Sequence, residues 1–217
     1  MEVCGVGIPA SIQNLLNVTG MTILNNFTSA YGADAVAAMG ISYKIYMVPM
    51  QVSMGFSQGI MPLVSYNFAS GDRKRMKASI LFAIKLVVPA LAVVTLLYYI
   101  GSGELISLFM KNESIIAYGS RFLRGFSLGL AFLSLDFLTV GVFQSLGFGK
   151  YALLFAVMRK LVLEIPALLI LNAIFPLYGL AYAQFTAELI LGVCAILMLR
   201  YIFRKYGNNI KTTTDPF

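Results

Sequence analysis

Six apolar stretches, each long enough to cross a lipid bilayer, run through this 217-residue chain: about 6 to 30, 36 to 68, 78 to 100, 115 to 146, 151 to 173 and 178 to 203. A hydrocarbon core about 30 Å thick takes about 20 apolar residues of helix to span. In lipid every backbone amide must find its partner inside the protein, so stretches of this length read as helices. The period-2 alternation of a membrane β-barrel is missing. The breaks carry turn residues: Tyr31-Gly32-Ala33-Asp34, Ser70-Gly71-Asp72, Gly101-Ser102-Gly103, Gly147-Phe148-Gly149 and Phe175-Pro176-Leu177. The expected fold is therefore all-α, a polytopic membrane protein of six transmembrane helices. Composition agrees: 59% of residues are apolar and 12% charged, with mean hydropathy +0.83, against about 45–50% and about 25% in soluble domains.

The net charge of +7 does not mark a nucleic-acid binder, because the basic residues sit in short clusters between apolar runs and not on one continuous face. They fit membrane topology instead. With the N-terminus inside, the inner loops and tail hold Arg73, Lys74, Arg75, Lys77, Lys150, Arg200, Arg204, Lys205 and Lys211, and the outer set only Lys111, Arg121 and Arg124. The positive-inside rule then puts both termini in the cytoplasm of a protein integral to the cell membrane. Residues 1–206 are expected to form one bundle, and 207–217 a polar cytoplasmic tail. Met1-Glu2-Val3-Cys4 lacks the basic region and cleavage site of a signal peptide, so the first stretch is expected to remain in the mature protein. The chain has no histidine, and Cys4 and Cys194 lie at opposite ends, so no Cys/His metal centre or Cys-His nucleophile pair can be assembled. No close acid pair is visible either, and an enzyme is not expected.

Polar groups inside the spans carry the functional information. An ionised side chain at membrane depth costs at least about 2.5–3.5 kcal/mol and needs a reason. Asp136, near the middle of the fourth span, is too short to reach the headgroups, and an acid so placed can take up a proton or bind a cation. Its structural alternative is a hydrogen bond to a neighbouring helix. On the second span Met47, Gln51, Met54, Gln58, Met61 and Ser65 recur at spacings of four and three and share one helical face. Methionine repacks around ligands of different shape; a packed core stripe is the other reading. Gln13, Asn17 and Asn25 repeat the pattern on the first span, as cavity lining or as helix-bridging amides. Lys85, Arg159 and Lys160 lie near the cytoplasmic ends of their spans and are expected to snorkel, whereas Lys44 is deeper. Glu164 and Glu188 are each expected to pair with a basic neighbour on the same helix, Glu164 with Lys160. Pro9, Pro49, Pro62, Pro89 and Pro166 fall within spans, where kinks often mark moving helices.

Gly7-Ile8-Pro9, Tyr31-Gly32 followed by Ala35-Val36-Ala37-Ala38-Met39-Gly40-Ile41, and Gly55-Phe56-Ser57-Gln58-Gly59-Ile60-Met61-Pro62-Leu63-Val64-Ser65-Tyr66-Asn67 together resemble the multidrug and toxic compound extrusion (MATE) transporters. Phe143-Gln144-Ser145-Leu146-Gly147, Arg159 and Ile165-Pro166 extend the resemblance over nearly the whole chain. It is strongest to the C-terminal half of such a transporter, whose twelve spans form two six-helix halves around a central cavity. The resemblance implies cation-coupled antiport, with Na+ or H+ exchanged for amphipathic, often cationic, drugs and toxic compounds. It places the coupling ion at Asp136, with Asn17 at the position of a second acid, so that any Na+ would be held by one carboxylate and one amide. It implies a cavity lined by Gln13, Met47, Gln51, Met54, Gln58, Phe132 and Gln144. The expected partners are the bilayer, an amphipathic organic cation and a second six-helix half, in another chain or a homodimer; no cofactor is expected besides the coupling ion. Export of lipid-linked or polysaccharide precursors is one alternative, and a non-transporting membrane fragment of a split gene another.

Overall fold

The computed structural model describes the backbone of residues 2–207 and the side chains of residues 11, 12, 15, 16 and 18–204. Among these residues the chain is helical throughout, with no strand. The helices are α1 (Glu2–Ser29), α2 (Ala33–Ala69), α3 (Arg73–Ile100), the short α4 (Ser102–Ser107), α5 (Glu113–Ser127), α6 (Leu130–Ser145), α7 (Gly149–Val157), α8 (Ile165–Ile174) and α9 (Gly179–Gly207). A π-helical turn, Met158–Glu164, joins α7 to α8 without a break.

These elements fall on the apolar stretches of the sequence, and their ends have local causes. Asp72 caps α3 by accepting from the Arg75 backbone N–H at 2.9 Å, and Asn112 caps α5 by accepting from that of Ser114 at 2.9 Å. Gly71, at φ +79°, supplies the left-handed turn between α2 and α3. Two departures from simple rods stand out. The fourth stretch is α5 and α6 meeting at 45°, and the fifth contains the π turn. By length and composition alone, Arg73–Ile100 and Gly179–Arg204 qualify as membrane-crossing helices, with the bent α5–α6 pair as a third. In α2 and in the rod from α7 to α8 the hydropathy is diluted by Lys44, Gln51, Gln58, Arg159, Lys160 and Glu164. Most of these polar residues belong to the site described below.

Helix α6 is the axle of the bundle. Leu130 and every residue from Leu133 to Phe143 are buried, with α2, α3 and α9 packed around it and α5 completing the wall against α2 and α9. The packing is close where small residues meet: a Cβ on Gly125 would lie 2.8 Å from that of Ala181 on α9, and one on Gly141 would collide with Ser57 Oγ on α2. That hydroxyl donates to the Phe137 carbonyl at 2.6 Å, tying α2 to α6. Tyr43, Tyr46 and Phe126 stack with centroids 5.5–6.0 Å apart. Gln184 of α9 donates to the fully buried Tyr46 hydroxyl at 2.6 Å. The outer surface is apolar: Phe82, Leu97, Ile100, Ile170 and Val193 are all more than half exposed. A surface of this kind is stable against lipid tails and costly against water. Helix α1 lies at the edge, against α7 and α2.

Candidate functional site

At the centre of the bundle the intramembrane charges are brought together. Arg159 Nη1 donates to Asp136 Oδ2 at 3.1 Å, and its Nε lies 3.6 Å from Glu188 Oε1. Lys160 Nζ donates to Glu164 Oε1 at 2.7 Å. All five side chains are less than 10% exposed. The π turn makes this possible. Its wider winding turns Arg159 toward α6 and α9, where Asp136 and Glu188 sit, while Lys160 and Glu164 face α1 at Gly20. A Cβ on Gly20 would stand 3.1 Å from Lys160 Nζ and 3.4 Å from Glu164 Oε1, so the absence of a side chain there makes room for the pair. π-Helical turns recur at functional sites for this reason: they re-aim side chains without ending the helix.

The cluster holds three acids, Asp136, Glu164 and Glu188, against two bases, Arg159 and Lys160. With every group ionised it carries one negative charge in a region where isolated charge is costly. Asp136 Oδ1, Glu164 Oε2 and both Glu188 oxygens are buried and lack a hydrogen bond. A proton or a monovalent cation would balance the charge and partner one of these oxygens. Among the described residues no three His, Cys, Asp or Glu side chains converge as metal ligands.

Beside this cluster a groove of about 710 Å³ opens between α1 and α2. Met47, Gln51 and Met54 line it from α2, and Met21 and Asn25 from α1, with Lys44 on its wall. Its floor includes Phe137, the neighbour of Asp136, and the Arg159 guanidinium carbon sits 5.0 Å from the centre of that ring. The same aromatic residue thus touches the groove on one side and the buried ion network on the other.

The residues singled out in the sequence divide accordingly. Met47, Gln51 and Met54 share the groove. Gln58 and Gln144 line an adjoining gap of about 30 Å³ between α2 and α6, which shares Met54 and Phe137 with the groove. Phe132 packs toward α9: its ring is 6.4 Å from that of Phe185, and a Cβ on Gly192 would come within 2.9 Å of it. The side chains of Gln13 and Asn17 lie outside the described residues. Two further expectations are corrected. Arg159 and Lys160 do not snorkel but are buried at 3% and 5% exposure, because each finds a carboxylate. Glu188 pairs across the bundle with Arg159, not along its own helix. The signal for this network was present in the sequence as unlike charges in separate spans, each needing a counter-charge.

Comparison with known proteins agrees with the architecture. The chain matches the MatE family over residues 9–170. It is 33% identical over 205 residues to the multidrug export protein MepA of Staphylococcus saprophyticus, covering 94% of this chain and 45% of that protein. It is 32% identical over 203 residues to MepA of Staphylococcus haemolyticus, covering 93% and 44%. The chain therefore spans somewhat under half the length of these curated relatives. Among solved structures, the Vibrio cholerae MATE transporter VcmN in its bent form superimposes with a TM-score of 0.86 at 18% identity, over 94% of this chain and 47% of that one. An outward-facing multidrug resistance MATE family transporter gives 0.88 at 18% identity, over 95% and 47%. The fold is that of one half of a MATE transporter, and with a sequence match across three-quarters of its length the chain belongs to the MatE family.

Proposed function

We propose that this chain forms one six-helix half of a membrane exporter of amphipathic, drug-like compounds, driven by exchange for Na+ or a proton at Asp136. The observation that carries the reading is the shared wall: Phe137 lines the groove while its ring lies under Arg159, which holds Asp136. Occupation of Asp136 by a proton or cation weakens its attraction for Arg159, and a guanidinium released on that side shifts toward Glu188 and off the Phe137 ring. Groove shape and ion occupancy are then linked, and cargo and ion favour different conformations, each by its differential affinity. The methionines fit cargo of varied shape, because an unbranched thioether changes rotamer at small cost.

The relatives' description as multidrug export proteins supports drug export in preference to an enzymatic reaction. In this reading Asn17 lends an amide oxygen to the ion near Asp136, and a second six-helix unit closes the groove from the open side of α1 and α2. The rods cross the bilayer six times, residues 1–206 form the bundle, and both termini, with the polar segment 207–217, lie in the cytoplasm.

Two measurements test the proposal together. In cells lacking their own efflux pumps, the chain should lower accumulation of fluorescent amphipaths, and Asp136→Asn should abolish the effect. The purified chain should bind the same compounds in lipid nanodiscs. Neither export nor binding, with the chain shown to be folded in the membrane, contradicts the proposal.

A further inference from the structure

A second groove, of about 840 Å³, runs between α2 and α3 on the apolar exterior of the bundle. Gly55 and Gly59 of α2 leave it open, since a Cβ on either would meet nothing within 4 Å. Ala78, Ser79, Phe82 and Leu86 line it from α3, and no ionisable side chain is among its described lining residues. Ser79, the polar member of the lining, donates its hydroxyl to the Arg75 carbonyl at 2.9 Å. From Ala78 to Leu86 the groove climbs about 12 Å of helix at 1.5 Å per residue, against about 15 Å for one leaflet's share of the hydrocarbon core. It is therefore about one leaflet tall, in the leaflet nearest the turn between α2 and α3.

Bases stand at its mouth. That turn and the start of α3 hold Arg73, Lys74, Arg75 and Lys77 against one acid, Asp72. Two of the four lie against rings: Arg73 Cζ is 4.1 Å from the centre of Phe68, and Lys77 Nζ is 5.4 Å from that of Phe203. The other two continue the groove. Lys74, Ala78, Phe82 and Leu86 recur every four residues, and Arg75 precedes Ser79 by four, so both bases stand one turn below the lining on the same face of α3. Lys74 is exposed. Arg75, 80% exposed, pairs with Asp72 through Nε at 3.3 Å, and its guanidinium has further N–H groups to offer an anion.

We infer that this face binds an anionic glycerophospholipid, with an acyl chain lying in the groove and the phosphate held by Lys74 and Arg75. An acyl chain asks for no hydrogen bonds and the groove offers none, while the mouth offers positive charge at the depth of the headgroups. Bases beside a membrane attract acidic headgroups by about fivefold in affinity each. A zwitterionic headgroup carries its own cation and gains less. The site shares no lining residue with the groove between α1 and α2, so it stands whether or not that groove carries cargo.

The test is native mass spectrometry of the full chain in detergent, titrated with dioleoyl phosphatidylglycerol or dioleoyl phosphatidylcholine. The anionic lipid should bind about tenfold or more tighter than the zwitterionic one. Lys74→Gln with Arg75→Gln should remove that difference and leave the zwitterionic lipid unchanged. Gly55→Leu with Gly59→Leu fills the groove and should weaken both lipids. All four positions are exposed, and Leu is a better helix former than Gly, so both variants should fold and melt like wild type. Glycerol 1-phosphate, a headgroup without chains, should not displace the lipid at millimolar concentration. Equal binding of the two lipids by wild type, or a preference that survives the Gln variant, overturns the site. A preference untouched by the filled groove would mean headgroup adhesion to a basic turn, and displacement by glycerol 1-phosphate a site for phosphate alone; either result overturns the lipid site. So does a wild-type dimer that the filled groove dissociates while lipid retention stays unchanged, which would put a helix of a second copy there.

Discussion

Arg159 is the residue on which the buried chemistry turns. Among the described residues it alone pairs with acids on two other helices, Asp136 of α6 and Glu188 of α9, and it reaches both from inside the bundle. Removing one member of a buried ion pair leaves the other as an uncompensated charge, which costs about 3–5 kcal/mol. Arg159→Met is therefore expected to lower the thermal unfolding midpoint of the purified protein sharply. The triple variant Arg159→Met, Asp136→Asn, Glu188→Gln should regain most of that loss, because a neutral cluster of similar volume carries no stranded charge. Equal melting of the single and triple variants would show that the charges are not coupled. At this scale the sequence was only partly legible. Asp136 stood out because a short acid in mid-span has no route to water. Arg159 did not, because a long side chain near a span end can snorkel equally well, and only the third dimension shows that a carboxylate lies within reach.

The π turn at Met158–Glu164 is the element that makes the site. Apolar stretches located the helical rods to within a few residues, since lipid leaves the backbone no other choice. Hydropathy is blind to helix type, however, so neither the π turn nor the 45° bend between α5 and α6 was visible in advance. Both occur beside residues that bring polar or small groups inward, Arg159 and Lys160 in one case and Gly129 in the other. A π turn holds one residue more than the α-helical register requires. Deleting Leu161, whose side chain is nearly half exposed, should restore α-helical winding and rotate Arg159 and Lys160 by about 100° relative to α8 and Glu164. The expected result is loss of substrate binding and a much lower melting point, whereas Leu161→Ala should be close to wild type. A deletion variant that melts and binds like wild type would mean that the π turn does not position the cluster.

Across the whole molecule, an apolar exterior surrounds a charged centre, with an amphipathic groove open on the side of α1 and α2. The all-helical fold class was legible from the apolar stretches and the turn residues between them, and the family from motifs spread along the chain. The groove was legible in part. The periodicity of Met47, Gln51 and Met54 put them on one face, and the same periodicity drew in Gln58, which lies one turn further along α2 and lines the adjoining gap against α6. The orientation proposed from the distribution of Lys and Arg has its own check. With Cys4 and Cys194 replaced by serine, Lys111→Cys should react with an impermeant maleimide added outside intact cells, and Lys74→Cys only after the cells are opened. The reverse pattern would invert the topology.

The central claim is that Asp136 links ion movement to cargo movement. Its most direct test is amphipath transport in vesicles containing the protein, under an imposed Na+ or proton gradient, for wild type and Asp136→Asn. Wild-type transport should rise with the gradient of the coupling ion, and the variant should still bind the amphipath while losing all response to either gradient. Gradient-driven transport that survives in Asp136→Asn would contradict the account.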